Sequence, residues 1–238
     1  MHLLSPSRIA SALACAGALW AAVALPAAAQ VPPSSVEAQA YQGLHRAAWR
    51  GDIPELKRLL AQSGGTSLEM RDAYGRTPMH VATYARQREA IRLLAQAGAS
   101  LNAFENDRYD PVTIAAVADD TKTLALLLQL GASAGQTTSR YDGTALIAAA
   151  HLGHDEVVRQ LIAAKAPLDH VNNLHWTALI ESIVLGDGGP RHQRTLGLLV
   201  DAGANLQLAD REGHTPLQLA STRGYTAMVK KLKAAGAR

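Results

Sequence analysis

The stretch Asp142-Gly143-Thr144-Ala145-Leu146-Ile147-Ala148-Ala149-Ala150-His151-Leu152-Gly153-His154-Asp155-Glu156-Val157-Val158 decides how the rest of the chain is read. Its opening phrase returns as Thr77-Pro78-Met79-His80-Val81-Ala82, Asp110-Pro111-Val112-Thr113-Ile114-Ala115, Thr177-Ala178-Leu179-Ile180-Glu181-Ser182 and Thr215-Pro216-Leu217-Gln218-Leu219-Ala220. The five starts, at 77, 110, 144, 177 and 215, are 33, 34, 33 and 38 residues apart. A second phrase lies 21 residues after four of them: Gly98-Ala99, Gly131-Ala132, Lys165-Ala166 and Gly236-Ala237. In the copy that starts at 177 its counterpart, Gly203-Ala204, arrives five residues late. Self-similarity at a fixed period of this length marks a stack of small, similar units.

Each unit has the local chemistry of a short helix pair. Thr, or Asp110 in one copy, suits an N-cap: its side-chain oxygen accepts from an unpaired first-turn N–H, and Pro is favoured next. The alanines that follow let neighbouring helices approach closely. A second helix carries Leu93-Leu94, Leu127-Leu128 and Leu198-Leu199 toward a core. Gly98, Gly131, Gly203 and Gly236 supply the left-handed residue that ends it, and Lys165 at that place puts one helix stop in doubt. The chain then turns through a finger such as Asp72-Ala73-Tyr74-Gly75. One such unit cannot bury its apolar face alone, so the units must stack.

Period and phrase together resemble the ankyrin repeat. A degenerate first copy, Gly43-Leu44-His45-Arg46-Ala47-Ala48 with Gly51-Asp52 and Leu59-Leu60, brings the number to six, and the resemblance covers residues 37–238. It implies an all-α solenoid of about six helix-turn-helix repeats with β-hairpin-like fingers. The units fall near 37–71, 72–104, 105–138, 139–171, 172–209 and 210–238. A helix over residues 36–48 is expected to shield the first unit, and Lys230, Lys231 and Lys233 to solvate the last.

Composition agrees. The 238 residues include 46 alanines and only ten aromatics, one of them Phe, which argues against a β-sandwich or barrel core. At 48% hydrophobic and 18% charged, the chain is too apolar for disorder. A formal charge of +3 with no basic run gives no electrostatic footprint for nucleic acid.

Residues 1–29 hold eleven of the alanines and no acid. Arg8, the apolar run 9–25, Pro26 and Ala27-Ala28-Ala29 follow the order of a secretory signal peptide, with cleavage expected after Ala29 and a periplasmic or secreted product. An uncleaved anchor over 9–29 is the rival reading, and acylation of Cys15 a weaker third because the apolar run continues past it. Cys15 is the single cysteine, so cleavage leaves a chain with no disulfide, thiol nucleophile or thiolate ligand. Val31-Pro32-Pro33-Ser34-Ser35 reads as a short linker.

The resemblance implies that finger tips and the ends of the first helices line a concave groove. The candidate tips are Tyr74 and Arg76, Asp107 and Tyr109, Arg140 and Tyr141, Asn173 and Trp176, and Arg211 and His214. The candidate groove positions are Trp49 and Arg50, Tyr84, Val117, His151 and Leu152, Val184 and Leu185, and Thr222 and Arg223. Tyr, Trp and Arg dominate interface hot spots, so this set is expected to bind another protein. Finger tyrosines that merely brace their neighbours are the alternative. The five-residue excess within 186–193 reads as a longer flexible loop, serving a partner or tolerated as surface variation.

His151, His154 and Asp155 have the residue types of a metallo-hydrolase, but Gly153-His154 resembles a structural turn of the repeat, and no His-Glu-x-x-His spacing occurs. Neither a Gly-x-Ser-x-Gly elbow nor a phosphate-cradling glycine loop is present. The expectation is a monomeric, non-catalytic module without metal or cofactor. Its partner is another protein, and it acts as an accessory to a periplasmic or stress-related enzyme or as an immunity factor against a toxin.

Overall fold

The computed structural model describes residues 31–63 and 68–238. The leader expected over 1–29 and its expected cleavage site lie outside them. Among the described residues the chain forms thirteen helices and no strand, with one isolated bridge between Thr138 and Gly143. None of these helices is long and apolar enough to cross a membrane.

After α1 (Ser35–Ala40), the helices come in six pairs. They are α2 (Gly43–Arg50) with α3 (Ile53–Ser63), α4 (Pro78–Tyr84) with α5 (Arg88–Gln96), and α6 (Pro111–Val117) with α7 (Thr121–Gln129). Then follow α8 (Ala145–His151) with α9 (Asp155–Ala163), α10 (Ala178–Val184) with α11 (Pro190–Asp201), and α12 (Pro216–Thr222) with α13 (Thr226–Ala234). The first helices pack on one another in an inner row and the second helices in an outer row.

The inner row closes tightly because its contacts are made by Ala48, Ala82, Ala116, Ala149 and Ala220, all without solvent exposure. Of each leucine pair one member, Leu94, Leu127 or Leu199, is wholly buried, while Leu93, Leu128 and Leu198 pack half-exposed against the same core. Burying one such side chain contributes roughly 1.5–3 kcal/mol. The caps form as the chemistry requires: Asp110, Thr144 and Thr177 accept from the N–H of Thr113, Ile147 and Ile180.

Three expectations need correction. The helix expected over 36–48 is two helices, because Tyr41 is extended at φ −59°, ψ 141° and buries its ring, with its hydroxyl donating to Asp72 at 2.7 Å. Lys165 does not remove the stop of α9. It takes φ +61°, and its N–H reaches Ile162 while that of Ala166 reaches Leu161, so a lysine holds the left-handed position glycine fills elsewhere.

The third concerns the insertion. Within 186–193, residues 186–189 make a tight connection and 190–193 form the first turn of α11, which runs to 12 residues. Asp187 Oδ1 accepts from the Gly189 N–H and lies 2.7 Å from His192 Nδ1, and these two groups hold the Asp187 carboxyl below its ordinary range. His192 Nε2 is 2.9 Å from the His151 carbonyl, and the Tyr225 hydroxyl donates to the Gly186 carbonyl. Arg191 reaches Asp119 two units back. The five extra residues therefore fasten the stack.

Candidate functional site

The fingers stand in a register set by backbone bonds. Within four of them, one N–H closes the turn on the carbonyl four residues ahead, Asp72 on Arg76, Glu105 on Tyr109, Asn172 on Trp176 and Asp210 on His214, and in the fifth Thr138 closes on Gly143, five ahead. Between them, the N–H groups of Asn106, Ser139 and Asn173 donate to the carbonyls of Tyr74, Arg108 and Tyr141. Side chains add to the stitching: Arg71 donates to the Phe104 carbonyl, Asn173 to that of Arg140 and Arg211 to that of Asn173. A rigid row results, presented beside the ends of the inner helices.

Histidines bolt the row to the helices. His45 Nε2 lies 2.8 Å from the Arg76 carbonyl and His80 Nε2 lies 3.3 Å from that of Tyr109. His80 Nδ1 accepts from the Thr77 N–H at 3.1 Å, so that nitrogen carries no proton and the ring is neutral. Burial pushes this imidazole down to about 4. Behind the inner helices, His154 Nδ1 reaches the Ala116 carbonyl at 2.9 Å. His45, His80 and His154 are thus structural.

A family model for ankyrin repeats matches residues 44–138 and 112–210. This chain belongs to the ankyrin repeat family. Over 192 residues it is 34% identical to a putative ankyrin repeat protein, YahD, of Escherichia coli K12, covering 80% of this chain and 94% of that one. An ankyrin repeat domain from Acinetobacter baumannii AYE superposes with a TM-score of 0.77 at 47% identity, over 82% of this chain and 98% of the other. The ankyrin repeat domain of Bcl-3, described as a member of the IkappaB protein family, gives 0.74 at 28% identity, over 84% and 88% of the two chains. Ankyrin repeats are protein–protein interaction modules, and no catalytic family is indicated for this one.

On this ankyrin stack the candidate residues separate by what holds them. Arg76 is not a tip: it is 2% exposed, donating to Asp72 at 2.7 Å, Glu37 at 3.0 Å and the Val31 carbonyl at 3.4 Å. It fails as a contact residue because the segment before α2 folds over it, and exposed Tyr74 covers it with a ring 4.4 Å from its guanidinium. Burial alone would raise the Asp72 carboxyl, but the bonds from Tyr41 and Arg76 outweigh it and leave it below its usual range.

Trp49 is half-buried, its ring edge-on to Tyr41 at 6.3 Å. Tyr84 and Tyr109 are half-buried as well, and burial pushes both hydroxyls above the ordinary tyrosine range. Tyr141 is half-covered and lies beneath the exposed Arg140 guanidinium at 5.2 Å, and Trp176 is half-covered too. Arg50, Leu152, Arg211, His214 and Arg223 are exposed and His151 is partly so. The aromatic set therefore both braces the fingers and shows its edges, while Arg50, Arg140, Arg211, Arg223 and Leu152 face solvent.

His151, His154 and Asp155 do not converge on a common point. His151 Nδ1 is 3.4 Å from Glu181, His154 faces Ala116, and Asp155 pairs with Arg194 and Arg191. Among the described residues, the group with ligand atoms close enough for a metal is Asp210, Glu212 and His214. There Asp210 Oδ1 accepts from the Glu212 and His214 N–H groups, the same finger-closing role that Asp72 plays for Tyr74 and Arg76. Glu181 is the residue that sequence reasoning passed over. Its signal was an acid in a column where four of the other five units hold apolar residues.

Proposed function

We propose that this protein is exported to the periplasm and, without catalysing a reaction, binds a partner protein through its finger tips and the ends of α2, α4, α8, α10 and α12. What supports the reading is the division of labour along one face: consensus side chains are consumed by the stack, while Tyr74, Arg140, Leu152 and Leu185 are left to solvent on that same face. Exposed apolar groups beside arginines and aromatics have the composition of an interface. A role as accessory to a periplasmic or stress-related enzyme fits such a module. The test is to isolate the protein from the periplasmic fraction, sequence its N-terminus and crosslink it in place. A start at Gln30 and a discrete adduct that Arg140→Glu with Leu152→Glu abolishes are expected. A chain that stays in the cytoplasm, or an adduct indifferent to both changes, contradicts it.

A further inference from the structure

Within the finger face one side chain breaks the pattern of its own repeat. Glu181, in the middle of α10, stands where four of the other units have Val81, Ile114, Ala148 and Leu219, and where the first unit has Arg46, which is exposed. It is 5% exposed. Its Oε1 accepts from Asn172 Nδ2 at 2.8 Å, and its Oε2 lies 3.4 Å from His151 Nδ1. Other buried acids serve the backbone: Asp110 and Asp120 cap the N–H of Thr113 and Thr123, and Glu105 accepts from Tyr109. Glu181 caps nothing. A buried carboxylate is unfavourable unless matched, and the bond from Asn172 needs an acceptor but no charge, so the stack alone would be served better by a neutral glutamine. A charge kept without a structural gain points to a functional position.

The surroundings say which function. His151 covers Glu181 from the end of α8 and is itself partly open to solvent. Leu152 and Leu185, exposed 36% and 42%, flank it from adjacent units. Asp187, with 76% of its side chain exposed, is joined to the same spot through His192, whose other nitrogen holds the His151 carbonyl. Among the described residues neither acid has a lysine or arginine partner. Arg191 and Arg194, the nearest in sequence, are committed to Asp119 and Asp155.

We infer that this spot between the fourth and fifth units receives a lysine or arginine side chain with apolar neighbours, presented by the protein partner. The two leucines take the flanks. Glu181 and Asp187 supply the charge, Glu181 from a depth where solvent screens it little. The inference rests on the finger face being the partner-binding surface.

The test is an NMR titration of the protein purified after export, following His151, Leu152 and Leu185. The probes are three blocked tripeptides, Leu-Arg-Leu, Leu-Gln-Leu and Leu-Glu-Leu. The arginine peptide is expected to bind there roughly tenfold tighter than the glutamine peptide, with the glutamate peptide weaker still. Glu181→Gln, which keeps an acceptor for Asn172, should remove most of that preference without lowering the melting temperature, and Glu181→Leu should remove it too while lowering the melting temperature, because the buried Asn172 amide loses its acceptor. Equal affinity for the three peptides at the two leucines overturns the cation inference while leaving the face reading intact. Shifts confined to the outer helices, or none, overturn both. A preference for arginine that survives Glu181→Gln also defeats the assignment.

Discussion

Arg191 donates from Nη2 to Asp119 Oδ2 at 2.7 Å, tying the unit that carries the insertion to the unit two before it. Its Nε also lies 3.6 Å from Asp155. These groups are open to solvent, so each pair contributes about 0.2–1 kcal/mol. His192 differs: it is largely covered, and its ring packs so closely on Gly153 and Gly186 that a Cβ there would lie 3.0 and 2.8 Å from it.

Accordingly Arg191→Ala should cost less than about 1 kcal/mol in urea unfolding. His192→Ala should cost about 2–3 kcal/mol, because it opens a cavity and strips the His151 carbonyl of its partner. Equal losses would mean that the insertion is held by charge and not by packing.

Arg76 gives a larger expectation. Removing it leaves the half-buried Asp72 carboxylate without its cation and unfastens the segment before α2. Arg76→Ala should therefore destabilise by about 3–5 kcal/mol. Glu37→Gln, at a more exposed partner, should cost far less. Chemical denaturation of both variants checks the ranking.

Lys165 holds a left-handed conformation at φ +61°, where the matching residues are glycines. Relieving that strain is worth about 1–2 kcal/mol, of which the extra freedom of glycine in the unfolded chain removes part. Lys165→Gly should stabilise by about 0.5–1 kcal/mol, read as a rise in melting temperature.

His80 makes stability depend on acidity. Its folded value of about 4 lies below the ordinary 6.5, so the unfolded chain binds the proton first. This contribution is complete above pH 6.5 and is lost as pH falls, the loss reaching about 3 kcal/mol near pH 4. Gln218 shows that glutamine can serve the same cap, its Oε1 accepting from the Thr215 N–H. His80→Gln should flatten the stability profile between pH 7 and 4. An unchanged profile would move the effect to other groups.

What the sequence made legible was whatever repeats or acts locally. The 33-residue spacing, the Thr and Asp caps and the glycine stops are periodic or contained within one turn, and all are seen in the helices. Arg76 read as a finger tip because its place in the column is a tip; its burial depends on Glu37, 39 positions away. The insertion read as flexible from its glycines, yet its order comes from ties spanning 41 and 72 positions. Glu181 shares its column with another charged residue, Arg46, and only its burial, where Arg46 is exposed, shows that its charge works against the stack.

The central claim, that the finger face binds a protein, is tested most directly by photocrosslinking in intact cells. A photoreactive amino acid replaces Leu152 in one strain and Arg159, exposed on the outer helix α9, in another. A discrete adduct from position 152 and none from position 159 is expected. Adducts from position 159 alone, or from neither, would contradict it.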